Sequence, residues 1–284
     1  MKIQTIIRQR YSVRAYQETA ITGQTQDKLQ ALLASLQTGP LGSKIRLGLF
    51  AASEQDKSSL RGLGTYGFIK NPAGFIIGTV RSGEHALEDY GYVMERAILE
   101  ATSLRLGTCW LGGSFTKSSF AGKIQKGEDE ILPAVTATGY PAPEARERDF
   151  FRRAARSDTR LPWQKLFFDG GFDTCLAPEI AGEFQQALEM VRIAPSASNR
   201  QPWRIVRQGH AWHFYCQRTP GYGKGSLVFN LLGLVDLQRL DVGIAMCHFE
   251  LTNRELGLDG VWSVEDPGLG ISDENTVYIA TWHP

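Results

Sequence analysis

The chain has few of the features by which proteins bind nucleic acids, membranes or metals. Its formal net charge is only +1, which argues against nucleic acid or an anionic membrane as the main partner. No apolar run approaches the length of a membrane span. The five histidines show no zinc spacing, so we expect no metal site. The sequence also contains neither a Gly-x-Ser-x-Gly nucleophile motif nor a Walker motif.

Cysteine is scarce as well. The four cysteines are scattered and include no Cys-x-x-Cys pair, so we expect reduced thiols in a cytoplasmic protein rather than a disulfide framework. Residues 1–11 are polar and basic without an apolar core, which predicts that they are not a secretory signal. Cys109 has apolar neighbours and no base close in sequence, and we interpret it as a buried thiol rather than a nucleophile.

The remaining composition is that of a globular protein, with 42% hydrophobic and 21% charged residues. A chain of 284 residues can form one large core or two smaller ones. Hydrophobic periodicity predicts both helices and strands. Helices are predicted at residues 18–37, 85–106, 184–193 and 236–256, and strands at residues 45–52, 73–80, 132–139, 203–207, 212–215 and 276–281.

The most informative stretch is Ala194 to Trp203, which reads Ala-Pro-Ser-Ala-Ser-Asn-Arg-Gln-Pro-Trp. It separates a helix-like segment from a strand-like one, and its two prolines stiffen the loop. Its hydroxyl and amide side chains suit a planar ligand with polar edges. Taken alone, the composition also fits an ordinary turn between a helix and a strand. The polar residues are Ser196, Ser198, Asn199 and Gln201.

Three motifs together resemble those of the FMN-dependent nitroreductase family. Pro-Ser-x-x-Asn-x-Gln-Pro-Trp, which starts at Pro195, is similar to the family's flavin-contacting loop. Arg10 to Tyr16 looks like its N-terminal Arg-x-Ser-x-Arg signature, and Leu106 to Gly113 resembles its turn at the flavin edge. The resemblance implies an α+β fold, a three-layer α-β-α sandwich, with FMN as the cofactor. The order is unusual, since the loop precedes the turn in a typical member and follows it here.

The resemblance also implies roles for individual residues. Arg10 and Arg14 would bind the FMN phosphate, as bidentate cations can. A third cation is expected at Arg160, with Arg152 and Arg153 as competitors. Backbone N–H groups of the glycine turn would face the flavin ring, and no catalytic acid or base is required, because the cofactor carries the chemistry. The implied FMN contacts are Arg10, Tyr11, Ser12, Arg14, Trp110, Leu111, Gly112, Gly113, Arg160, Pro195, Ser196, Ala197, Asn199 and Gln201.

An internal duplication would explain the unusual order. Leu106-Gly107 recurs 150 residues later as Leu256-Gly257, and Leu32 to Pro40 aligns with Ala187 to Pro195. We therefore predict two nitroreductase-like halves, residues 1–165 and 166–284, although amphipathic helices can also resemble each other by pattern. The first half keeps the phosphate and ring-edge motifs and the second keeps the partner loop. One FMN would then lie between the halves of a monomer, unless the halves exchange between chains.

The activity implied by the resemblance is that of an enzyme, an FMN-dependent oxidoreductase. It would take a hydride from NADH or NADPH and reduce a nitroaromatic, quinone or similar small-molecule acceptor. Two alternatives remain at this point: a non-enzymatic protein that binds or stores flavin, and a related flavin enzyme with a specific oxidative or dehalogenating substrate.

Overall fold

The structure, a computed structural model, describes residues 1–52, 60, 62–143, 145, 149–222, 235–271 and 273–284. The helices of this part are α1 (Ile3–Gln9), α2 (Gly23–Ser35), α3 (Ala86–Ser103), α4 (Lys117–Lys123), α5 (Phe150–Ala154), α6 (Gln185–Arg192) and α7 (Leu237–Glu255). The strands are β1 (Ile45–Ala51), β2 (Gly74–Arg81), β3 (Gly107–Leu111), β4 (Glu130–Ile131), β5 (Val135–Gly139), β6 (Phe167–Asp169), β7 (Trp203–Gln208), β8 (Ala211–Gln217), β9 (Val261–Ser263) and β10 (Thr276–His283). Short 3-10 helices span Trp163–Lys165, Pro178–Phe184 and Ala197–Asn199.

The strands form two five-stranded sheets. The first has the antiparallel order β1-β2-β5-β3, and β4 also pairs with β2. The second has the order β6-β7-β8-β10-β9, in which only the β6–β7 pair is parallel. β2 lies inside the first sheet and is buried along nearly its whole length, which explains its uninterrupted apolar run Phe75-Ile76-Ile77. Mixed helices and strands confirm the predicted α+β class.

The two longest helices, α3 and α7, pack against each other in the centre of the core. They cross so closely that a Cβ on Gly91 would collide with the carbonyl oxygen of Leu240. A Cβ on Gly243 would likewise collide with the carbonyl oxygen of Glu88. Glycine at both positions therefore permits contact between the two backbones.

A buried ion pair lies at the same crossing. Arg239 at the start of α7 donates two hydrogen bonds to the carboxylate of Glu88, whose side chain is fully buried. Burial raises the pKa of Glu88 to about 7, because the charged form loses water that Arg239 replaces only in part. Asp236 caps α7 by accepting a hydrogen bond from the backbone N–H of Gln238 at 3.2 Å.

Most predicted elements are present, with differences at their ends. The helical segment predicted within residues 18–37 is α2, Gly23–Ser35. Strand β5 starts at Val135, after Pro133, which has no N–H to donate to a sheet. Residues 106–113 were interpreted as a turn, but residues 107–111 form strand β3. No helix in the described ranges is long and apolar enough to cross a membrane.

Candidate functional site

Three adjoining cavities lie where the segment after α1 meets the end of β3, the chain after α5 and the loop after α6. Their volumes are about 710, 390 and 140 Å³, and we name them the large, middle and small cavities. They share walls: Arg160 and Asn199 line the large and middle cavities, Ser12 and Ser196 the middle and small ones, and Trp110 the large and small ones. The three cavities therefore form one continuous candidate site.

The structure brings the three sequence motifs together here, although they are far apart in the chain. Gly113 lines none of the three cavities; every other residue of the predicted FMN set lines at least one. Those residues are Arg10, Tyr11, Ser12, Arg14, Trp110, Leu111, Gly112, Arg160, Pro195, Ser196, Ala197, Asn199 and Gln201.

Five arginines line the middle cavity, together with one acid, Asp158: Arg8, Arg10, Arg152, Arg160 and Arg192. The pKa of Arg160 falls to about 10, mainly because of burial and further because Arg10, Arg152 and Arg192 repel its charge. Burial also lowers the pKa of Arg10. The Nε atoms of Arg10 and Arg160 are buried without a hydrogen-bond partner. An excess of desolvated positive charge with unused donors fits a multivalent anion such as a phosphate.

The three candidates for the third cation, Arg152 and Arg153 in α5 and Arg160 after it, differ in position. Arg152 lines the middle cavity and forms an ion pair with Asp158, whereas Arg153 lines none of the three cavities. Arg160 donates to the carbonyl oxygens of Ser157 at 2.7 Å and Ile193 at 3.1 Å. Its guanidinium group therefore connects the segment after α5 with the end of α6. Of the three candidates for a third cation, the geometry places Arg152 and Arg160 at the cluster.

Arg14 lies apart from this arginine cluster. It lines the large and small cavities, not the middle one, and its Nη1 donates to Asp149 Oδ2 at 2.5 Å. Its guanidinium also lies 5.8 Å from the centre of the Phe151 ring. The sequence analysis placed Arg14 at the phosphate, but the structure places it beside the cavities that adjoin Trp110.

The amide side chains of the loop are already engaged by the protein. The Nδ2 of Asn199 donates to the carbonyl oxygens of Arg156 at 2.8 Å and Thr159 at 3.1 Å. The Oε1 of Gln201 accepts from the backbone N–H of Leu161 at 2.8 Å. These bonds fasten the loop to the chain after α5, so the two segments form one wall of the site.

The same loop contains left-handed backbone. Ser198, Asn199 and Gln201 have φ angles of 49°, 55° and 51°, which non-glycine residues seldom adopt. Asp241 of α7 fixes the position of the loop, because both of its carboxylate oxygens accept from the backbone N–H of Ala197, at 3.0 and 3.1 Å. Burial raises the pKa of Asp241 well above its usual range. Asp241 also lines the small cavity, and the sequence analysis missed it.

Comparison with known proteins identifies the family of the chain. A family model described as "Putative TM nitroreductase" matches residues 2–253. The chain belongs to this nitroreductase family.

Solved structures show where the fold recurs. A "putative nitroreductase" from Thermotoga maritima is 23% identical with a TM-score of 0.59, and the match covers 99% of this chain and 93% of that one. A nitroreductase with bound FMN from Bacteroides fragilis is 22% identical with a TM-score of 0.39, over 50% of this chain and 89% of that one. A nitroreductase family protein from Clostridium difficile is 18% identical with a TM-score of 0.44, over 58% and 96%. No curated protein matched the chain.

Behind the cavities of this nitroreductase-family chain lies a buried carboxylate, Glu95 of α3. Its Oε2 accepts from the indole N–H of Trp110 at 2.8 Å, and its Oε1 lies 3.7 Å from Arg10 Nε and 3.0 Å from His248 Nε2. Glu95 therefore connects an arginine of the middle cavity with the tryptophan of the small one. Cys109 beside Trp110 is buried, as predicted, and burial raises the pKa of its thiol.

Four residues of this nitroreductase-family site escaped sequence reasoning: Arg192, Asp241, Glu95 and His248. Arg192 carried a weak signal, since it directly precedes the loop, but a basic residue in the last helical turn has an ordinary explanation. The other three lie inside long helices with no motif around them. Within the described ranges, no group of three histidine, cysteine or acidic side chains is placed to hold a metal ion.

Proposed function

We propose that this nitroreductase-family protein is an FMN-dependent oxidoreductase with one flavin site, formed by the three adjoining cavities. The observation that carries the proposal is the middle cavity, where five arginines, Arg8, Arg10, Arg152, Arg160 and Arg192, outnumber one acid, Asp158. The buried Nε of Arg160 has no hydrogen-bond partner, and that of Arg10 has only Glu95 at 3.7 Å, so both guanidinium groups retain capacity to bind a phosphate. These residues therefore fit the phosphate end of FMN.

The small cavity suits the flat ring. Gly112 closes against Leu237, where a Cβ would come within 2.7 Å of a Leu237 methyl group, so a side chain there would fill the space. Trp110 and Pro195 provide flat apolar walls, and Arg14 provides a cation that would stabilise negative charge on the reduced ring. Bound FMN supplies hydride transfer, and these side chains orient it and exclude water.

The large cavity provides room for the molecules that exchange electrons with the flavin. Phe68 and Phe151 lie on its wall with ring centres 4.7 Å apart, and they suit an aromatic acceptor. We propose that NADH or NADPH and a nitroaromatic or quinone acceptor use this space in turn. A volume of about 710 Å³ favours an enzyme over a flavin-storage protein, which needs no space for a second molecule.

We also propose that the chain contains two related halves, residues 1–165 and 166–284, packed as an intramolecular pseudo-dimer. Asp89 of α3 and Asp241 of α7 lie 152 residues apart, and each accepts from backbone N–H groups of a loop. Gly91 and Gly243, also 152 residues apart, mark the helix crossing from both sides. This spacing of 152 residues is two more than the 150 residues between the matching Leu-Gly pairs. An alignment of the two halves therefore needs a two-residue gap between the glycines and the Leu-Gly pairs.

A third correspondence comes from the edges of the two sheets. Trp110 on β3 donates its indole N–H to Glu95 of α3, and Trp262 on β9 donates to Glu250 of α7 at 2.6 Å. Of the two loops bound by Asp89 and Asp241, only the one bound by Asp241 lines the three cavities. The proposal therefore predicts about one FMN per chain and a monomer that already contains the whole site.

Flavin binding tests the proposed phosphate seat. Titration of the apoprotein should show tighter binding of FMN than of riboflavin, and Arg160→Ala should weaken FMN binding about tenfold through loss of charge-assisted contacts. Arg207→Ala is a matched control. Arg207 also bonds a carbonyl oxygen, that of Ile180 at 2.7 Å, but it lies outside the cavities. Equal affinity of the wild type for riboflavin and FMN would refute the seat.

Turnover and assembly have separate tests. The flavin-loaded protein should oxidise NADH or NADPH when a nitroaromatic or quinone acceptor is present, and absence of turnover with all acceptors would favour storage. Mixing Arg14→Ala chains with Asn199→Ala chains should not restore FMN binding, because one chain holds both residues of its own site. Restored binding in the mixture would mean that the halves exchange between chains.

A further inference from the structure

A chain of buried polar side chains runs behind the proposed phosphate seat. Arg10, Glu95 and His248 come from the end of α1, from α3 and from α7, and their side chains are 8%, 0% and 1% exposed. Glu95 Oε1 lies 3.0 Å from His248 Nε2 and 3.7 Å from Arg10 Nε. Charges this far from water interact strongly, since little solvent screens them.

The hydrogen bonds of His248 fix the number of protons on the pair. Its Nδ1 lies 2.9 Å from the carbonyl oxygen of Met190, which can only accept, so Nδ1 carries a proton. Its Nε2 faces the carboxyl group of Glu95 at hydrogen-bond distance, and that contact is attractive only if one more proton lies between them. The proton belongs either to Nε2, giving an imidazolium and a carboxylate, or to Glu95, leaving both groups neutral.

Both arrangements have the same total charge. We call Arg10, Glu95 and His248 the trio. The Glu95–His248 pair is neutral while it holds this proton, so the charge of Arg10 gives the trio a net charge of one positive unit. When the proton departs, the pair becomes negative and the trio neutral. The trio would then attract a phosphate anion less strongly, although Arg10 itself has not changed.

Other groups that face the trio do not cancel this charge. Cys109 of β3 and Cys247 of α7 are buried thiols whose pKa values burial raises, so they remain neutral near pH 7. Arg152 of α5 adds positive charge near Arg10. β3 contributes the Trp110 indole N–H, and α6 contributes the Met190 carbonyl oxygen.

We propose that Glu95 and His248 share one buried proton that keeps the phosphate end of the site positive, so that phosphate binding and retention of this proton favour each other. Glu95 is a positioning residue in this role, because it acts on the phosphate through Arg10. The inference rests on the proposed FMN site. It adds that phosphate affinity depends on a proton shared by two residues that line none of the three cavities.

Two substitutions fix the trio in its two charge states. In Glu95→Gln, the amide donates to His248 Nε2 and its oxygen accepts from Trp110, so the trio is positive. In His248→Gln, the glutamine amide donates to an ionised Glu95, so the trio is neutral. The wild type, which holds the shared proton, should behave like Glu95→Gln.

The measurement is the ratio of riboflavin to FMN dissociation constants at about pH 7.5, above the second phosphate pKa of about 6. This ratio isolates the phosphate contribution from that of the ring. We expect it to be about equal in the wild type and Glu95→Gln, and about tenfold lower in His248→Gln, where one nearby positive charge is lost. Any effect of Arg160 appears equally in all three proteins.

The outcomes separate the two proposals. No preference for FMN over riboflavin in any of the proteins would overturn the phosphate seat itself. A wild-type ratio as low as that of His248→Gln, with a higher ratio in Glu95→Gln, would leave the seat intact and overturn the shared proton. If one variant fails to fold, the wild type is compared with the other, and a wild-type ratio that matches His248→Gln or lies about tenfold below Glu95→Gln contradicts the proposal.

Discussion

Substitution of Gly91 by alanine tests how α3 and α7 hold the protein together. Alanine is the better helix former by about 1 kcal/mol, so propensity alone predicts stabilisation. The new methyl group, however, would collide with the carbonyl oxygen of Leu240, and backbone cannot move aside as a side chain can. Relieving the collision requires the helix axes to separate by about 1 Å in a core packed as tightly as a crystal.

Overpacking of this kind costs about 1–3 kcal/mol, and contact with backbone places Gly91→Ala at the upper end. After subtraction of the propensity gain, we expect a net loss of about 2 kcal/mol in the free energy of unfolding. Gly243→Ala should cost a similar amount, since its methyl group would meet the carbonyl oxygen of Glu88. The double variant should lose less than the sum, because the first substitution already separates the helices.

Urea denaturation followed by circular dichroism measures these differences, and thermal unfolding should show a loss of about 2–4 °C per kcal/mol. Gly122→Ala is the matched control. Gly122 also lies in a helix, α4, but a Cβ there would meet no atom within 4 Å, so alanine should be neutral or stabilising. If Gly91→Ala is as stable as Gly122→Ala, the close crossing of α3 and α7 is wrong.

Two further predictions concern buried and exposed acids. Asp241→Ala and Asp89→Ala should each destabilise the protein by about 1–3 kcal/mol, because backbone N–H groups lose their acceptor. Only Asp241→Ala should also weaken FMN binding, because only its loop lines the cavities. Equal FMN titrations for both variants would contradict this. The backbone N–H of Asn275 and nearby side chains lower the pKa of Asp273 to about 2, so its stabilisation is present above pH 3.8 and is lost as pH falls towards 2. Acid unfolding of Asp273→Asn should lack that component, and an unchanged acid profile would exclude it.

Sequence patterns predicted those strands and loops that are specified by residues close together in the chain. The apolar run at Phe75 and the strand-like residues Arg204-Ile205-Val206 of β7 each predict a strand over a few positions, and the structure confirms both. The loop from Ala194 to Trp203 was predicted because prolines and amide side chains lie together in sequence. Strand β3 was missed, because its pairing with β5 is a tertiary contact that no local pattern records.

The site was predictable only in part for the same reason. Its motif residues converge as expected, but the contacts that hold them span long sequence separations. Glu95 and His248 lie 153 residues apart, and Arg14 lies 135 residues from Asp149. Buried acids inside apolar helices gave no periodic signal, since the helix pattern is the same whether such a residue is paired or not. Sequence spacing also did not reveal that Arg14 lines other cavities than Arg10 does.

The left-handed residues of the loop have a consequence for how the protein tolerates change. Ser198, Asn199 and Gln201 each retain a backbone conformation that costs about 1 kcal/mol or more, and Asp241 and the chain after α5 hold them in it. Glycine at these positions would relieve the cost, so selection for heat resistance alone would favour it there. The same replacements would remove the amides that fasten the wall of the cavities. Variants that survive higher temperature through this loop should therefore be those that bind flavin poorly.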